Sequence, residues 1–128
     1  MDLSDLKPKS ETIEVILKHP NTGEAITNPD GSEMSITVYL PHTKEYKKAR
    51  HKKTDLLIKK GKQSLSSEEI EDLTLQLLAE TTKEWDITYK GEKPKLTIGK
   101  VKEVFDEVFW IRAQVEEATG EALDFTTA

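Results

Sequence analysis

Ile13-Glu14-Val15-Ile16-Leu17-Lys18 runs into His19-Pro20-Asn21-Thr22-Gly23, and the reading of this stretch decides the class of the fold. Ile13, Val15 and Leu17 alternate with Glu14, Ile16 and Lys18, the period of two that marks a half-buried strand, and Pro20, Asn21 and Gly23 supply the turn that stops it. A second strand is predicted at Ser35 to Leu40, with Ile36, Val38 and Leu40 on one face and Thr37 and Tyr39 on the other, after the turn residues Asn28-Pro29-Asp30-Gly31-Ser32. Ala25-Ile26 is a candidate short piece between them. Two strands alone are marginal in water, so helices or another chain must cover their apolar face.

Three helices are predicted downstream. The first starts near Thr43 and ends at Gly61, with Lys59 and Lys60 favourable in its last turn; its apolar stripe is weak because Lys53 interrupts it. The second opens on Ser66-Ser67-Glu68-Glu69, a capping box flanked by Leu65 and Ile70 at the staple positions, and its spacing of Ile70, Leu73, Leu77, Leu78 and Trp85 carries it to about Trp85. Asp86 to Pro94 reads as a loop with a short extended piece at 87–89. The third runs from Thr97 or Ile98 to about Thr119, with Gly120 as its cap. Its face is Val101, Val104, Phe105, Val108, Ile111, Val115 and Ala118, and at 100° per residue Trp110 falls on the far side, among Glu103, Asp106 and Glu107. The class is therefore α+β, mainly α: an N-terminal β-hairpin packed against about three α-helices. Residues 1–11 form a flexible N-terminal arm, 12–120 a single α+β domain, and 121–128 a C-terminal tail anchored by Leu123 and Phe125.

The 128 residues suit one domain with one core. Apolar residues make up 35%, about 40% once the six glycines are counted, and charged residues 34%, against roughly 45–50% and 25% for an average globular chain. The core is thin for the length, so folding and association with copies or partners are expected to be linked. The net charge of −5 divides unevenly: Lys44 to Lys62 carries nine basic residues against two acids, a charge of +7, which leaves −12 on the remainder. Such asymmetry suggests head-to-tail self-association or an anionic partner for the basic segment.

Chemistry is absent from the pattern. With no cysteine, disulfides, thiolate nucleophiles and zinc fingers are excluded. The glycines are scattered singly, no G-x-S-x-G or H-E-x-x-H occurs, and His19, His42 and His51 lack a second ligand at useful spacing. Paired acids such as Glu68/Glu69 are explained by capping and solvation. No enzyme, metal or cofactor is expected, and neither is a secretory signal or a transmembrane helix.

Val15-Ile16-Leu17-Lys18-His19-Pro20-Asn21-Thr22-Gly23-Glu24, then Ile36-Thr37-Val38-Tyr39-Leu40, then Lys44-Glu45-Tyr46-Lys47-Lys48-Ala49-Arg50 resemble the N-terminal half of the short form of the tail assembly chaperones of long-tailed, siphovirus-type bacteriophages. The helix from Ser66 to Trp85, the loop Tyr89 to Pro94, the pair Val104-Phe105 and the late Gln114-Val115 with Phe125 behind continue the resemblance over roughly 13–125. It implies a non-enzymatic role in virion morphogenesis: binding and solubilising the tape measure protein in the host cytoplasm before the tail tube polymerises, as an open helical oligomer, then leaving, so that the chaperone is not in the mature virion. Tail tube protein would be met only through a frameshift-extended form. No membrane is implied.

Taken with the charge map, this leads to the expectation that Lys47, Arg50 and Lys53 of one copy face Glu103 and Glu107 of a neighbour, with Trp110 buried at the contact or against the tape measure protein. The runner-up is a small nucleic-acid-binding phage protein using the basic helix 44–62 on phosphates; Tyr46 is its one stacking residue, and the acidic net charge opposes it.

Overall fold

The computed structural model describes residues 2–8, 10–61, 64–121 and 125–126. About 49% is helix and 19% strand, so the chain is α+β. Strand β1 (Lys7–Pro8) is followed by β2 (Thr12–Ile16) and β3 (Ser35–Tyr39). The last two pair antiparallel as the alternation predicts, with Ile13 opposite Val38 and Val15 opposite Ile36. Val15, Leu17, Ile36, Val38 and Leu40 are buried while Glu14 stays in water.

The connection between β2 and β3 is itself ordered by backbone bonds. The Ile26 N–H donates to the Leu17 carbonyl at 2.9 Å and the Met34 N–H to the Ile26 carbonyl at 2.8 Å, so Ala25-Ile26 is the expected short piece. Gly23 at φ 74° and Gly31 at φ 91° make the two reversals, conformations open to glycine at no steric cost.

Helix α1 (Lys44–Lys60) has the predicted bounds. The Thr43 hydroxyl accepts from the Tyr46 N–H, and Gly61 at φ 76° closes the far end, its N–H on the Leu57 carbonyl. Helix α2 (Ser67–Glu80) opens with both bonds of the predicted capping box: the Glu69 N–H donates to Ser66 Oγ at 3.1 Å and the Ser66 N–H to Glu69 Oε1 at 3.3 Å.

Helix α2 does not reach Trp85. Thr81 and Thr82 end it by turning their hydroxyls back onto the Leu77 and Leu78 carbonyls at 2.9 and 2.8 Å. The chain then becomes β4 (Thr82–Asp86), antiparallel to β3 with an irregularity at Thr37/Val38. The periodicity that carried Trp85 onto a helix face was coincidental. A two-stranded hairpin gains from a third strand, β3 had a free edge, and pairing there overrode the local helical spacing. The sheet order is β2-β3-β4. Beyond it, Ile87 is buried, and Lys90 at φ 52° with Gly91 at φ 81° forms a tight reversal that bridges Tyr89 to Glu92.

The predicted third helix is two. Helix α3 (Ile98–Glu107), capped by Thr97, stops at Val108, which sits at φ −98°, ψ 66°; helix α4 (Trp110–Glu121) follows, so Gly120 lies inside it and caps nothing. A straight helix over the whole span would be about 33 Å long, more than this small core can cover. The break lets α3 pack on α2 and α4 pack on β2. Gln114 secures the second contact: its amide nitrogen donates to the Lys18 carbonyl at 2.7 Å and its oxygen accepts from the Lys18 N–H at 2.9 Å.

One core joins Val15, Leu17, Ile36 and Val38 of the sheet side to Leu75 and Ala79, to Val101, Val104 and Phe105, and to Ile111 and Val115. Residues expected as an arm carry a 3₁₀ turn at Leu3–Asp5, and β1 pairs with β5 (Phe125–Thr126). Leu123 and the side chain of Phe125, the expected tail anchors, lie outside the described residues, as does Lys62.

Two substitutions check this frame by urea denaturation. Ser66→Ala should lower stability by about 1 kcal/mol through the lost cap. Ile36→Ala, at a position fully shielded from solvent, should cost about 2–5 kcal/mol.

Candidate functional site

Helix α1 is the anomaly of the fold. Of its residues only Ala49 is buried, Ile58 is 74% exposed, and the helix stands outside the core. It rests on α2 through half-buried Leu56, beside Leu73 and Leu77, and through long polar side chains. Lys52 Nζ lies 2.9 Å from Glu80 Oε1, Lys53 Nζ donates to Thr74 Oγ1 at 3.1 Å, and Lys60 Nζ is 4.0 Å from Glu69 Oε2. Burial pushes the Glu80 carboxyl up, but hydrogen bonds from Gln76 and Lys52 and the charges of Lys52 and Lys48 outweigh it, so its pKa lies below the usual value.

The open side of α1 is a shallow concavity of about 650 Å³ whose lining includes five lysines, Lys44, Lys47, Lys48, Lys52 and Lys59, against the single acid Asp55. A second groove, of about 700 Å³, runs between α2 and α3. It is lined by Glu68, Glu71, Asp72, Glu103 and Asp106, with Lys102 the one cation and Leu75 and Gly99 among the remaining lining residues. Internal pairs tie part of it: Lys102 to Asp72 at 2.7 Å, Arg112 to Glu71 at 2.8 Å and Lys100 to Glu103 at 3.2 Å. A carboxylate accepts several donors at once, so these pairs leave capacity for further cations.

The residues singled out by the sequence fall differently from one another. Lys47 and Arg50 are exposed on α1, Lys47 in its concavity. Lys53 is half-buried and spent on Thr74. Glu103 lines the acidic groove. Glu107 is engaged within the chain, accepting from the Tyr89 hydroxyl and pairing with Lys90 at 3.4 Å. That bond from Tyr89 holds the Glu107 pKa low, and the Glu107 carboxylate raises that of Tyr89. Trp110 packs half-buried against the core, because the break at Val108 turns it away from the acidic face where continuous helical counting put it.

Among the described residues the aromatic left in water is Phe109, 76% exposed at that break. No glycine or proline marks the site, so periodicity alone could not have found it. Glu68, Glu71, Asp72 and Asp106 were also missed as a group, since they come together only when α2 and α3 pack; their signal was the acid-rich exposed side of both helices.

The other polar features are structural. Asn28, buried, donates to Ser32 and to Asp86 Oδ1 and accepts from Thr88, while Lys93 bridges Asp30 and Asp86 at 2.9 and 3.1 Å. His19 Nδ1 accepts from the Asn21 N–H in the first turn. Among the described residues no three metal-ligating side chains gather, and no helix is long and apolar enough to cross a membrane. Comparison with protein-family models, with curated proteins and with solved structures finds no match to this chain.

The lowered pKa of Glu80 sets a pH dependence for the seat of α1. A carboxyl with a depressed folded pKa stabilises above its unfolded value, near 4.5, and that contribution is lost as pH falls through the folded value. Thermal melts followed by circular dichroism should show the native chain losing stability from about pH 5 downward, and Glu80→Gln, already lacking the charge, should be less stable at neutral pH and change less over the same range.

Proposed function

We propose that this chain is a non-enzymatic assembly chaperone of the phage tail kind, which binds and solubilises the tape measure protein before tail tube polymerisation and works as an open helical oligomer. The observation that carries the reading is α1: a long, basic helix with one buried residue, standing beside an acidic groove on the same molecule. A polar helix of this length is completed by solvent, ion pairs or a partner, and a subunit with unlike complementary patches adds copies head to tail. The resemblance to those chaperones rests on the sequence runs 15–24, 36–40 and 44–50 and the spacing of the helices behind them.

The role fits the needs of the client. A tape measure helix exposes apolar stripes along its whole length and aggregates if left uncoated. Coating it takes a row of copies that later dissociate, and contacts made of exposed ion pairs are weak enough to release. The site of action is then the host cytoplasm, the mature virion lacks the chaperone, and tail tube protein is recruited only through a frameshift-extended form.

The lysine-lined concavity favours a second reading, nucleic-acid binding through α1. Against it, Tyr46, the helix's one aromatic, is half-buried and poorly placed to stack on bases.

Co-expression tests the first reading. With this chain, the tape measure protein of the same genome should move from the insoluble to the soluble fraction and co-purify with it. An insoluble tape measure protein beside abundant soluble chain would overturn the proposal, and a gel shift with DNA or RNA at moderate salt would favour the second.

A further inference from the structure

We infer that the open face of α1 docks into the α2–α3 groove of a second copy of this chain. The inference rests on the reading of the chain as an assembling subunit and gives that assembly its contact. Three observations carry it. Helix α1 leaves Ile58 and its lysine-lined side uncovered, in a helix with one buried residue. The two linings are opposite in charge, five lysines against one aspartate on α1 and five acids against one lysine on the groove, so the faces attract while each repels its own kind. The groove also has room: a Cβ added at Gly99 would meet nothing within 4 Å, which lets a neighbour's helix approach the α3 backbone.

The two patches lie on different elements, so one copy can offer α1 to the next while receiving α1 from the one before. Such a contact is heterologous and extends without using up its ends. It differs from the expected set of residues: Lys44 and Lys48 line the concavity where Arg50 and Lys53 do not, and Asp106 lines the groove where Glu107 does not.

The test is light scattering with reciprocal charge exchange. The native chain's average mass should rise with concentration at low salt and fall in about 0.5 M salt. Lys44→Glu with Lys48→Glu, and separately Glu103→Lys with Asp106→Lys, should each be monomeric and keep the native circular dichroism spectrum; Lys44 opens α1 and Asp106 lies in the last turn of α3, where the new charges suit the helix dipole. An equimolar mixture should regain mass as far as the dimer, since the unaltered α1 of one variant meets the unaltered groove of the other, while the two altered linings, each left with as many acids as bases, do not extend it. Gly99→Gln should weaken association about tenfold by filling the groove, with no loss of thermal stability.

A native chain that is monomeric throughout, or variants that associate like it, or a mixture that fails to recover, would overturn the contact. So would DNA or RNA binding abolished by Lys44→Glu with Lys48→Glu in a chain that never self-associates. Restored mass in the mixture with no gain in tape measure solubility would uphold the contact and sink the chaperone reading alone.

Discussion

Strand β3 has two edges and one buried face, and the rest of the molecule is arranged to satisfy them. Its Ile36 and Val38 are shielded from water and its ladder groups pair on one side with β2 and on the other with β4. Unpaired backbone groups in that position would carry a full desolvation penalty. Helix α2 therefore ends early enough to deliver the chain to the β3 edge, and the loop after β4 sends α3 back across the same apolar face. Once α3 is committed to α2, α4 must turn to reach β2. The break at Val108 is the consequence.

This chain of dependence explains which parts were legible in the sequence. The hairpin, the start of α1 near Thr43, the Ser66 cap and the Gly61 stop depend on residues within a few positions of one another, and each is present where the spacing put it. The extension of α2 to Trp85 and the unbroken helix from Ile98 were extrapolations of a period. Periodicity reports which side of an element is apolar and carries no information about where a competing partner captures the chain. Thr81-Thr82, two β-branched residues whose hydroxyls can close a helix, was the local hint of the first stop. For the second there was none.

The charge map behaved the same way. The excess of lysine on α1 was evident from counting, whereas the acidic groove exists only because α2 and α3 pack side by side, bringing Glu68, Glu71 and Asp72 to face Glu103 and Asp106. Trp110 shows the opposite case. Its expected place on an acidic face assumed one straight helix, and the two-residue break at Val108 and Phe109 turned it against the core and set Phe109 outside instead. A shift of one residue along a helix turns a side chain by 100°, so any surface inferred across a break is unreliable even when the burial pattern on each side is right.

The thin core and the loosely seated α1 are connected. Every residue of the main cluster comes from the sheet and the residue after β2, from α2, α3 or α4, or from the segment after β4, so the domain closes without α1, which adds Ala49, half-buried Leu56 and Leu57, and exposed ion pairs to α2. Exposed pairs contribute little individually and are screened by salt, so a helix held this way lies near the low end of local stability. A partner groove that meets its lysines would add contacts to a segment that has few of its own, and the free energy gained would stabilise both the helix and the assembly. With the proposed contact, folding of α1 and association become one linked equilibrium, so that a chain monomeric when dilute gains order in α1 as it assembles at higher concentration.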